Sequence, residues 1–333
     1  MAENQTTTSQ ISNRTQAYAV AKLLSRALPL LVFEKFGQTY PLPSNMTTVA
    51  KFRRFEALDS SLNELVEGVT PTAKQLSVTD VTATLKQYGD LVIISDVVND
   101  TNEDPVLDQA VEVLGEQAAM MLEKMRAGVL LAGTNIFYAN GTQRTDVNSV
   151  ITIDLIRRIT RSLKAQNCRP ITQIVKSTPS YGTMAVAPAF VAICHSDCEA
   201  DLRTLTNATF IDVKNYGSTT PFEGEIGAVE GVRFILSNVL TPWAGGGGST
   251  STMLATGGLA DVYPILFFAK DAYGIVPLKG KSSITPTVLN PGVASKSDPL
   301  GQRGYVGWKA MQTAVILNQA WMCRAEVAVN DLV

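Results

Sequence analysis

The sequence comprises 333 residues, of which 45% are hydrophobic and 17% are charged, and its formal net charge at pH 7 is −2. A chain of this length and apolar content can bury a sizeable core and form two or three substructures. A net charge so close to zero gives no sign of the concentrated basic surface that dedicated nucleic-acid-binding proteins carry. Four cysteines are too few for a disulfide framework, which favours a reducing compartment.

The N-terminal residues predict a polar arm followed by a helix. Residues 1–16 lack the apolar stretch of a signal peptide, and from Thr15 apolar side chains recur at helix spacing until Pro29. The longest uncharged run, residues 234–260, is interrupted by proline and several glycines, which does not fit a membrane span. We therefore expect a soluble, cytosolic product with no membrane association.

A long two-stranded hairpin is predicted next. Residues 48–58 and 74–88 are rich in β-branched and aromatic residues, with the turn formers Gly68 and Pro71 between them. In the second strand the apolar side chains switch from one face of the strand to the other at Asp80. This is expected of a strand that twists or bulges.

This hairpin is too long to lie within one subunit. The thirteen residues from Leu76 to Tyr88 of its second strand would alone extend roughly 43 Å at about 3.3 Å per residue. The radius of gyration of a compact chain of this size is only about 20 Å. The hairpin should therefore project from the body of the protein. Because an isolated hairpin is unstable in water, something outside the subunit must cover it.

The segment after the hairpin predicts a buried strand and then the strongest helix of the chain. Residues 88–97, YGDLVIISDV, are expected to re-enter a core as a short buried strand. The helix begins near Pro105, with Glu103 or Asp104 near its cap, and ends before Gly133. Its apolar residues occupy one side and its acidic residues the other.

The remainder of the chain predicts a second helix and an α/β region. The second helix, at about residues 149–166, carries four basic residues on its wet face: Arg157, Arg158, Arg161 and Lys164. Residues 167–300 are rich in short strands and turns and are interpreted as a separate α/β region. The alternating C-terminal residues are expected to return to the earlier core.

Four consecutive glycines raise the possibility of a phosphate site. Residues 241–252, TPWAGGGGSTST, contain Gly245–Gly248 followed by a serine and a threonine. A phosphate loop directs glycine N–H groups at an anion, directly after a strand and usually beside a lysine. Here Pro242 and Trp243 precede the glycines, and no lysine follows before Lys270. We interpret the run as a flexible surface loop, with a nucleotide site as the alternative.

The segment Cys194–Cys198, CHSDC, is the one constellation with catalytic residue types. A structural zinc site needs four ligands, yet His195 is the only histidine and the other two cysteines are distant. Neighbouring residues on a strand point to opposite faces, which leaves Cys194 without a facing base. We interpret the segment as a strand end, Phe190–Cys194, with Asp197 capping the next helix; a metal or catalytic role is the alternative.

The long helix also carries a stripe of acidic residues. The stripe consists of Asp104, Asp108, Glu112, Glu116 and Glu123. Acids at this spacing with no histidine among them are usually a solvated face. The alternative is a salt-bridging surface for a partner.

Several long segments taken together are more specific than any of these short motifs. In order between residues 15 and 236 they read LVFEKFGQTYPLP, KFRRFEAL, VEGVTPTAKQLSVTDVTATLKQYGD, NEDPVLDQAVEVLGEQAA and GEIGAVEGVRFILS. In this order the segments resemble the major capsid proteins of tailed phages, in the N-four-like podovirus branch.

The resemblance implies an α+β fold of the Hong Kong 97 type, with an N-terminal arm, an E-loop hairpin, a peripheral domain with a spine helix, and an axial domain. On this chain the implied parts are residues 1–36 for the arm and its helix, 37–90 for the E-loop, 91–166 for the peripheral domain, 167–300 for the axial domain and 301–333 for the return to the peripheral domain. The glycine run then falls in an axial-domain loop. Some shells of this fold cross-link a lysine to an asparagine, but no such trio with a glutamate is matched here by motif.

The resemblance also implies a structural function. The chain would assemble with itself, as hexamers and pentamers, into an icosahedral shell that holds double-stranded DNA without sequence specificity. Its other partners would be portal and scaffolding or decoration proteins, with no membrane, no cofactor, no metal and no catalytic residue. Assembly would take place in the host bacterial cytoplasm and the product would be the capsid of the virion. The polar arm would be ordered by neighbouring subunits, since it has too little apolar surface to offset its own ordering entropy.

Contacts between subunits are predicted on the hairpin and the long helix. In the fold that the sequence resembles, the hairpin lies over the adjacent subunit, so its basic and aromatic residues are expected to meet the neighbour's acidic stripe. The predicted contact residues are Lys51, Phe52, Arg53, Arg54, Phe55, Asp104, Asp108, Glu112 and Glu116. The internal alternative is that Arg157, Arg158 and Arg161 neutralise the stripe within one subunit.

Two other functions are weighed against a phage shell. The first keeps the fold but makes the shell an encapsulin-like nanocompartment loaded with cargo enzymes. The second is a soluble enzyme that uses Cys194, His195 or the glycine run.

Overall fold

The computed structural model describes most of the chain from residue 31 onward. The described ranges are 31–45, 47–101, 106–175, 183–205, 210–213, 221–222, 224–278, 284–292 and 298–332. The predicted polar arm, the helix that follows it, and the cap residues Glu103, Asp104 and Pro105 lie outside these ranges. Within them the protein mixes four α-helices with many strands, which gives the α+β class that the resemblance implied.

The two longer helices follow from apolar residues at helical spacing, and two short helices accompany them. Their bounds are α1 Asp96–Thr101, α2 Val106–Leu131, α3 Ile153–Ala165 and α4 Glu199–Arg203. The long helix α2 ends before Gly133, as predicted. Helix α3 begins later than predicted, because Thr152 acts as its N-cap and accepts a hydrogen bond from the backbone N–H of Leu155.

The strands of the described ranges fall into two large sheets and two short ribbons. They are β1 Gln38–Thr39, β2 Val49–Phe55, β3 Val78–Thr84, β4 Lys86–Ser95, β5 Ile136–Tyr138, β6 Ile171–Val175, β7 Thr183–Cys194, β8 Ile211–Asp212, β9 Glu225–Val229, β10 Val232–Leu236, β11 Ala255–Thr256, β12 Leu259–Ala260, β13 Tyr263–Phe268, β14 Tyr273–Pro277, β15 Thr285–Leu289, β16 Arg303–Ile316 and β17 Met322–Val327. One sheet has five strands in the order β1-β14-β16-β15, with β4 also on β16. The other has eight, in the order β5-β17-β13-β7-β10-β9-β8, with β6 on β7. The strand pairs β2–β3 and β11–β12 are the ribbons.

The predicted hairpin is confirmed as the β2–β3 ribbon. Val49 lies opposite Thr84, and Phe55 lies opposite Val78. Its second strand is shorter than predicted, because β3 ends at Thr84. After Leu85, which belongs to neither strand, β4 begins and joins the five-stranded sheet. The predicted boundary between hairpin and peripheral domain, at residue 90, therefore falls inside β4. We call residues 56–77, which join the two strands, the hairpin loop.

Strand β16 is central to the five-stranded sheet, since β4, β14 and β15 all pair with it in antiparallel register. Helix α2 covers one face of this sheet through apolar residues of its first half. The resulting core contains Ile94, Val111, Leu114, Ala118, Leu122, Ile284, Val306, Trp308 and Ala310. We call the opposite face, away from α2, the outer face.

The predicted burial of β4 is wrong. A strand forms there, but of its apolar run only Ile94 is buried, whereas Leu91, Val92 and Ile93 are 57%, 42% and 63% exposed. The run is continuously apolar, which sequence reasoning associates with a strand covered on both faces. In the single subunit α2 covers one face only.

The eight-stranded sheet is covered on both faces. Helix α3 packs on one face through Leu155, Ile159 and Leu163, as predicted. The other face meets the C-terminal half of α2 and residues 32–36, including Phe33. Strand β17 lies in this sheet while β16 lies in the other, so the C-terminal region joins both.

Candidate functional site

The four glycines do not form an anion cradle. Each of their backbone N–H groups already donates to an acceptor within the chain. The bonds run from Gly245 to Asp261 Oδ1 at 2.6 Å, from Gly246 to the Trp243 carbonyl at 3.1 Å, from Gly247 to the Ala260 carbonyl at 2.9 Å and from Gly248 to the Val147 carbonyl at 2.9 Å. A phosphate would have to displace all four bonds, so the geometry does not support a nucleotide site.

The expectation of a flexible surface loop is also wrong. A Cβ atom at Gly247 would lie 2.2 Å from the carbonyl oxygen of Val147, so the glycine is needed for close backbone approach. Beside it the guanidinium of Arg144 stacks 3.6 Å from the ring centroid of Trp243. The same guanidinium donates to the buried carboxylate of Glu326 at 2.7 and 2.8 Å. The run is a packed, hydrogen-bonded part of the fold.

The CHSDC segment is structural in its geometry. Strand β7 ends at Cys194, as predicted, and His195 caps the following turn by accepting from the N–H of Asp197 at 3.3 Å. The predicted cap by Asp197 is wrong, because its carboxylate instead accepts from the Tyr263 hydroxyl at 2.8 Å. The histidine therefore orients the turn, and its Nδ1 faces the backbone.

The thiols are unsuited to nucleophilic catalysis. Cys194 is fully buried, and burial raises its pKa to about 12. Burial likewise raises the pKa of Cys323 to about 12 and that of the half-buried Cys168 to about 11. A thiol with such a pKa carries almost no thiolate at neutral pH, and the thiolate is the reactive form.

Two further kinds of feature can be checked over the described ranges, a metal-binding cluster and a membrane-spanning helix. There, no group of three His, Cys, Asp or Glu side chains is placed to hold a metal ion. None of the helices that the structure describes combines the length and the hydropathy that crossing a bilayer requires.

The basic residues of the hairpin are paired within the subunit. Asp80 lies on β3 opposite Arg53, accepts two hydrogen bonds from it, and also lies 2.7 Å from Lys51 Nζ. The hydrogen bonds from Arg53, and to a lesser extent from Lys51, hold the pKa of the Asp80 carboxyl well below its usual range. Arg54 is on the other face of the strand and pairs with Glu56 at 2.8 Å.

The two aromatic residues of the hairpin differ in how far they are buried in their own subunit. The ring of Phe52 packs inside the subunit, with its centroid 5.5 Å from that of Tyr40, and lies against the core around Leu42 and Val276. Phe55 is 63% exposed at the end of β2. Phe55 is therefore the more accessible of the two predicted aromatic contacts, since Phe52 is half-buried.

The acidic stripe is only partly a solvated face. Asp104 lies outside the described residues, Asp108 and Glu112 are half-buried, and Glu116 is exposed. Glu123 was expected on the wet face but is fully buried. Its carboxylate accepts from Arg126 at 2.7 Å and from two backbone N–H groups of residues 32 and 33.

This buried ion pair was missed at the sequence level. Arg126 also donates to Glu34 and to the buried amide of Gln312, so the network joins residues 32–34, α2 and β16. A glutamate and an arginine at i and i+3 within an apolar helix face were the available signal. The predicted internal alternative gains no support from Arg157, which pairs with Glu230 at 2.8 Å.

The hairpin loop buries almost none of its apolar residues in its own subunit. The exposed fractions are 99% for Leu62, 73% for Leu65, 66% for Val66 and 63% for Val69. Sequence reasoning treated this segment as a turn and missed its apolar character.

Comparison with known proteins identifies the family. A family model described as phage capsid protein matches residues 78–320. The chain belongs to the phage capsid protein family. This capsid protein is also 24% identical over 261 residues to the major capsid protein of Pseudomonas phage KPP21. That alignment covers 72% of the chain and 65% of the relative, so it spans slightly less than two thirds of the relative's length.

Solved structures confirm the fold. The capsid of Ralstonia phage GP4 matches with a TM-score of 0.63 and 11% identity, covering 89% of this capsid protein and 88% of that chain. An encapsulin complex from Synechococcus elongatus matches with a TM-score of 0.51 and 10% identity, covering 88% and 86%. The capsid protein therefore has the Hong Kong 97-type fold that the sequence resemblance implied. Its assignment to the N-four-like branch stays a prediction.

Proposed function

We propose that this capsid protein is the major shell subunit of a tailed phage and assembles with itself, as hexamers and pentamers, into an icosahedral capsid. The observation that carries the proposal is the hairpin loop, whose large apolar side chains are exposed in the single subunit. Exposed apolar segments of this size mark surfaces that associate with another molecule. In a closed shell many identical subunits supply that cover for one another.

The contents of the shell are proposed to be double-stranded DNA held without sequence specificity. The formal net charge of −2 fits a container better than a sequence-reading protein. Portal and scaffolding or decoration proteins are the proposed additional partners, and the host bacterial cytoplasm is the proposed place of assembly. The role is structural rather than enzymatic, in keeping with the buried thiols and the occupied glycine N–H groups.

The subunit contacts predicted from the sequence stay part of this proposal in a narrower form. Phe55 and the basic positions Lys51, Arg53 and Arg54 would lie against the adjacent subunit's acidic positions, Asp104, Asp108, Glu112 and Glu116. Asp80 already balances part of this positive charge within the subunit. We therefore propose that the charged residues set the alignment between neighbouring subunits, and that burial of Phe55 supplies most of the binding free energy. Phe52 contributes to the stiffness of the hairpin within its own subunit.

Negative-stain imaging of the purified full-length protein tests the function directly. Closed, uniform shells are expected. Nucleic-acid content then separates the two kinds of shell, because particles from infected cells should contain DNA if the chain is a phage capsid protein. Particles filled with a protein cargo and no DNA would instead favour the encapsulin alternative. A monomer that forms no particles with its phage assembly partners would contradict the proposal.

A further inference from the structure

Helix α3 presents a row of basic side chains to solvent. Its apolar side is buried against the eight-stranded sheet, which fixes the rotation of the helix. Arg158, Arg161 and Lys164 lie on the opposite side, and all three are exposed. They follow one another at three-residue spacing, so the row runs about 9 Å along the helix axis at about 1.5 Å per residue.

Two more cations lie where the helix ends. Asn167 has a positive φ of 53°, and the backbone N–H of Cys168 donates to the Leu163 carbonyl at 3.3 Å, which closes the last turn. Arg169 follows directly and is exposed. Its carbonyl accepts a hydrogen bond from the N–H of the exposed Lys270 at 3.0 Å. We call Arg158, Arg161, Lys164, Arg169 and Lys270 the basic patch.

The basic patch keeps most of its charge. Over the described residues no carboxylate forms an ion pair with any of the five, whereas Arg157 on the same helix pairs with Glu230 at 2.8 Å. The guanidinium of Arg158 lies 5.9 Å from the ring centroid of Phe137, a contact that positions the side chain without neutralising it. Asp271 and the negative end of the helix dipole, worth about half a charge, offset only part of the five.

The surroundings of the basic patch fit phosphate better than protein. The centre of a stable protein interface is apolar. Among the described residues from 114 to 205, however, none of the large apolar side chains is exposed. Protein–DNA interfaces are polar and strongly positive, and arginine, which supplies three of the five cations, can bind phosphate through two hydrogen bonds.

The spacing also fits a duplex. Double-stranded DNA carries one negative charge per about 1.7 Å of its axis, so about five phosphates lie within the length of the α3 row. The net charge of the whole chain, −2, does not oppose such a contact. Non-specific binding depends on the phosphates that are neutralised locally, through the release of their counterions.

We propose that the basic patch contacts the phosphate backbone of the packaged double-stranded DNA, so that the solvent side of α3 lines the interior of the shell. The contact is to phosphate alone, and it therefore reads no sequence. The inference rests on the proposed function and adds to it which surface touches the DNA.

The salt dependence of DNA binding tests the contact in solution. The probe is a short labelled duplex, titrated with the full-length subunit below the concentration at which shells form and followed by fluorescence anisotropy. The logarithm of the binding constant should fall with the logarithm of the salt concentration with a slope of about −4, because each neutralised phosphate contributes about −0.9. Arg158→Glu with Arg161→Glu and Lys164→Glu should reduce the size of the slope by about 3.

A matched control removes the same number of exposed positive charges elsewhere. Lys124→Glu with Arg303→Glu and Lys309→Glu should change the slope by less than about 1. An equal reduction in both triple variants, or no reduction in the α3 variant, would overturn the proposal when circular dichroism shows both to be folded.

Lysine acylation in particles tests the direction of the patch without any variant. DNA-filled and emptied particles are treated with an acylating reagent small enough to pass through the shell, and the acylated fractions of Lys164 and Lys270 are read by mass spectrometry. Both lysines should react about two- to fivefold less in the filled particles, the protection that one exposed charge pair provides.

The outcomes separate this inference from the shell itself. Equal, free reaction in both kinds of particle would place the patch on the outside, and equal protection in both would mean that protein covers it. Either result overturns the inference while the shell function stands. Particles that contain no DNA would instead contradict the proposed function.

Discussion

Arg53 and Asp80 face each other directly across the β2–β3 hairpin, with Nε–Oδ1 and Nη2–Oδ2 distances of 2.9 and 3.1 Å. A two-point contact between a guanidinium and a carboxylate fixes orientation as well as proximity. The pair therefore holds the register of a ribbon that has little core of its own. It also means that the basic cluster of the hairpin is not simply an open positive surface.

Charge reversal at the hairpin distinguishes pairing within a subunit from pairing between subunits. Arg53→Glu with Arg54→Glu should leave a folded, soluble subunit that fails to form shells. If the contact is with a neighbour, Glu112→Lys with Glu116→Lys should partly rescue assembly. If it is internal, Asp80→Lys should rescue instead. Sedimentation of the particles measures the result, and normal assembly of the double Glu variant would rule out both roles.

The glycine run should not tolerate a side chain at its centre. Gly247→Ala places a Cβ atom against the Val147 carbonyl and should destabilise the subunit by about 1–3 kcal/mol, in line with overpacked sites. The matched control is Gly128→Ala, an exposed site in α2 with open space around the added Cβ. This control should stabilise by about 0.5–1 kcal/mol. Thermal unfolding measures both, and two similar melting temperatures would contradict the packed geometry.

The buried thiols predict an alkaline limit to stability. A free cysteine in the unfolded chain ionises near pH 8.5, whereas Cys194 and Cys323 keep their protons up to a pKa of about 12. The folded state therefore binds more protons between these values, and the free energy of unfolding should fall as pH rises from about 8.5 toward 12. Below pH 8.5 the thiols contribute no pH dependence.

Alkylation followed by mass spectrometry checks the same residues one by one. At pH 7.5 the half-buried Cys168 should react first, and Cys194, Cys198 and Cys323 only on unfolding. Rapid native labelling of Cys194 would contradict its burial and reopen the enzyme alternative. Cys194→Ala and His195→Ala are expected to leave shell assembly intact.

The ion pair inside α2 should be costly to break. Glu123→Gln leaves the fully buried Arg126 without its nearest carboxylate and weakens the acceptor for two backbone N–H groups, so a loss of about 3 kcal/mol is expected. Lys124→Gln, one position along and exposed, is the control and should change stability by less than about 0.5 kcal/mol. Urea unfolding of the two variants decides, and equal midpoints would show that the pair is dispensable.

Sequence reasoning succeeded where the signal was local. The β2–β3 hairpin, the end of α2 before Gly133 and the inward face of α3 all follow from periodicity and boundary residues within a short window. It failed where the partner is distant in sequence. Gly247 is packed by Val147, and Glu123 is buried by residues 32 and 33, and neither neighbour is marked by a motif.

The exposed apolar residues of β4 and of the hairpin loop were also not predicted from the sequence. The apolar run of β4 was correctly predicted as a strand and incorrectly predicted as buried. Leu91 and Ile93 lie on the face of the sheet that α2 does not cover, and a continuous apolar run gives no local sign of this. The hairpin loop was interpreted as a turn because Gly68 and Pro71 dominate its local pattern. The resemblance to phage capsid proteins supplied the fold where the local signals did not.

The position of β16 has a consequence for how the chain is made. Strand β4 pairs with residues that follow it by roughly 200 positions, and β14 and β15 pair with the same strand. At about 5–20 residues per second, the ribosome needs roughly 10 to 40 s to deliver that strand after β4 has emerged. During this interval Leu91, Val92 and Ile93 have no sheet to join and can pair with β4 of another nascent chain. The five-stranded half therefore folds only near the end of synthesis. The yield of native subunit should then depend on chaperones that bind extended apolar segments, and more steeply at higher temperature.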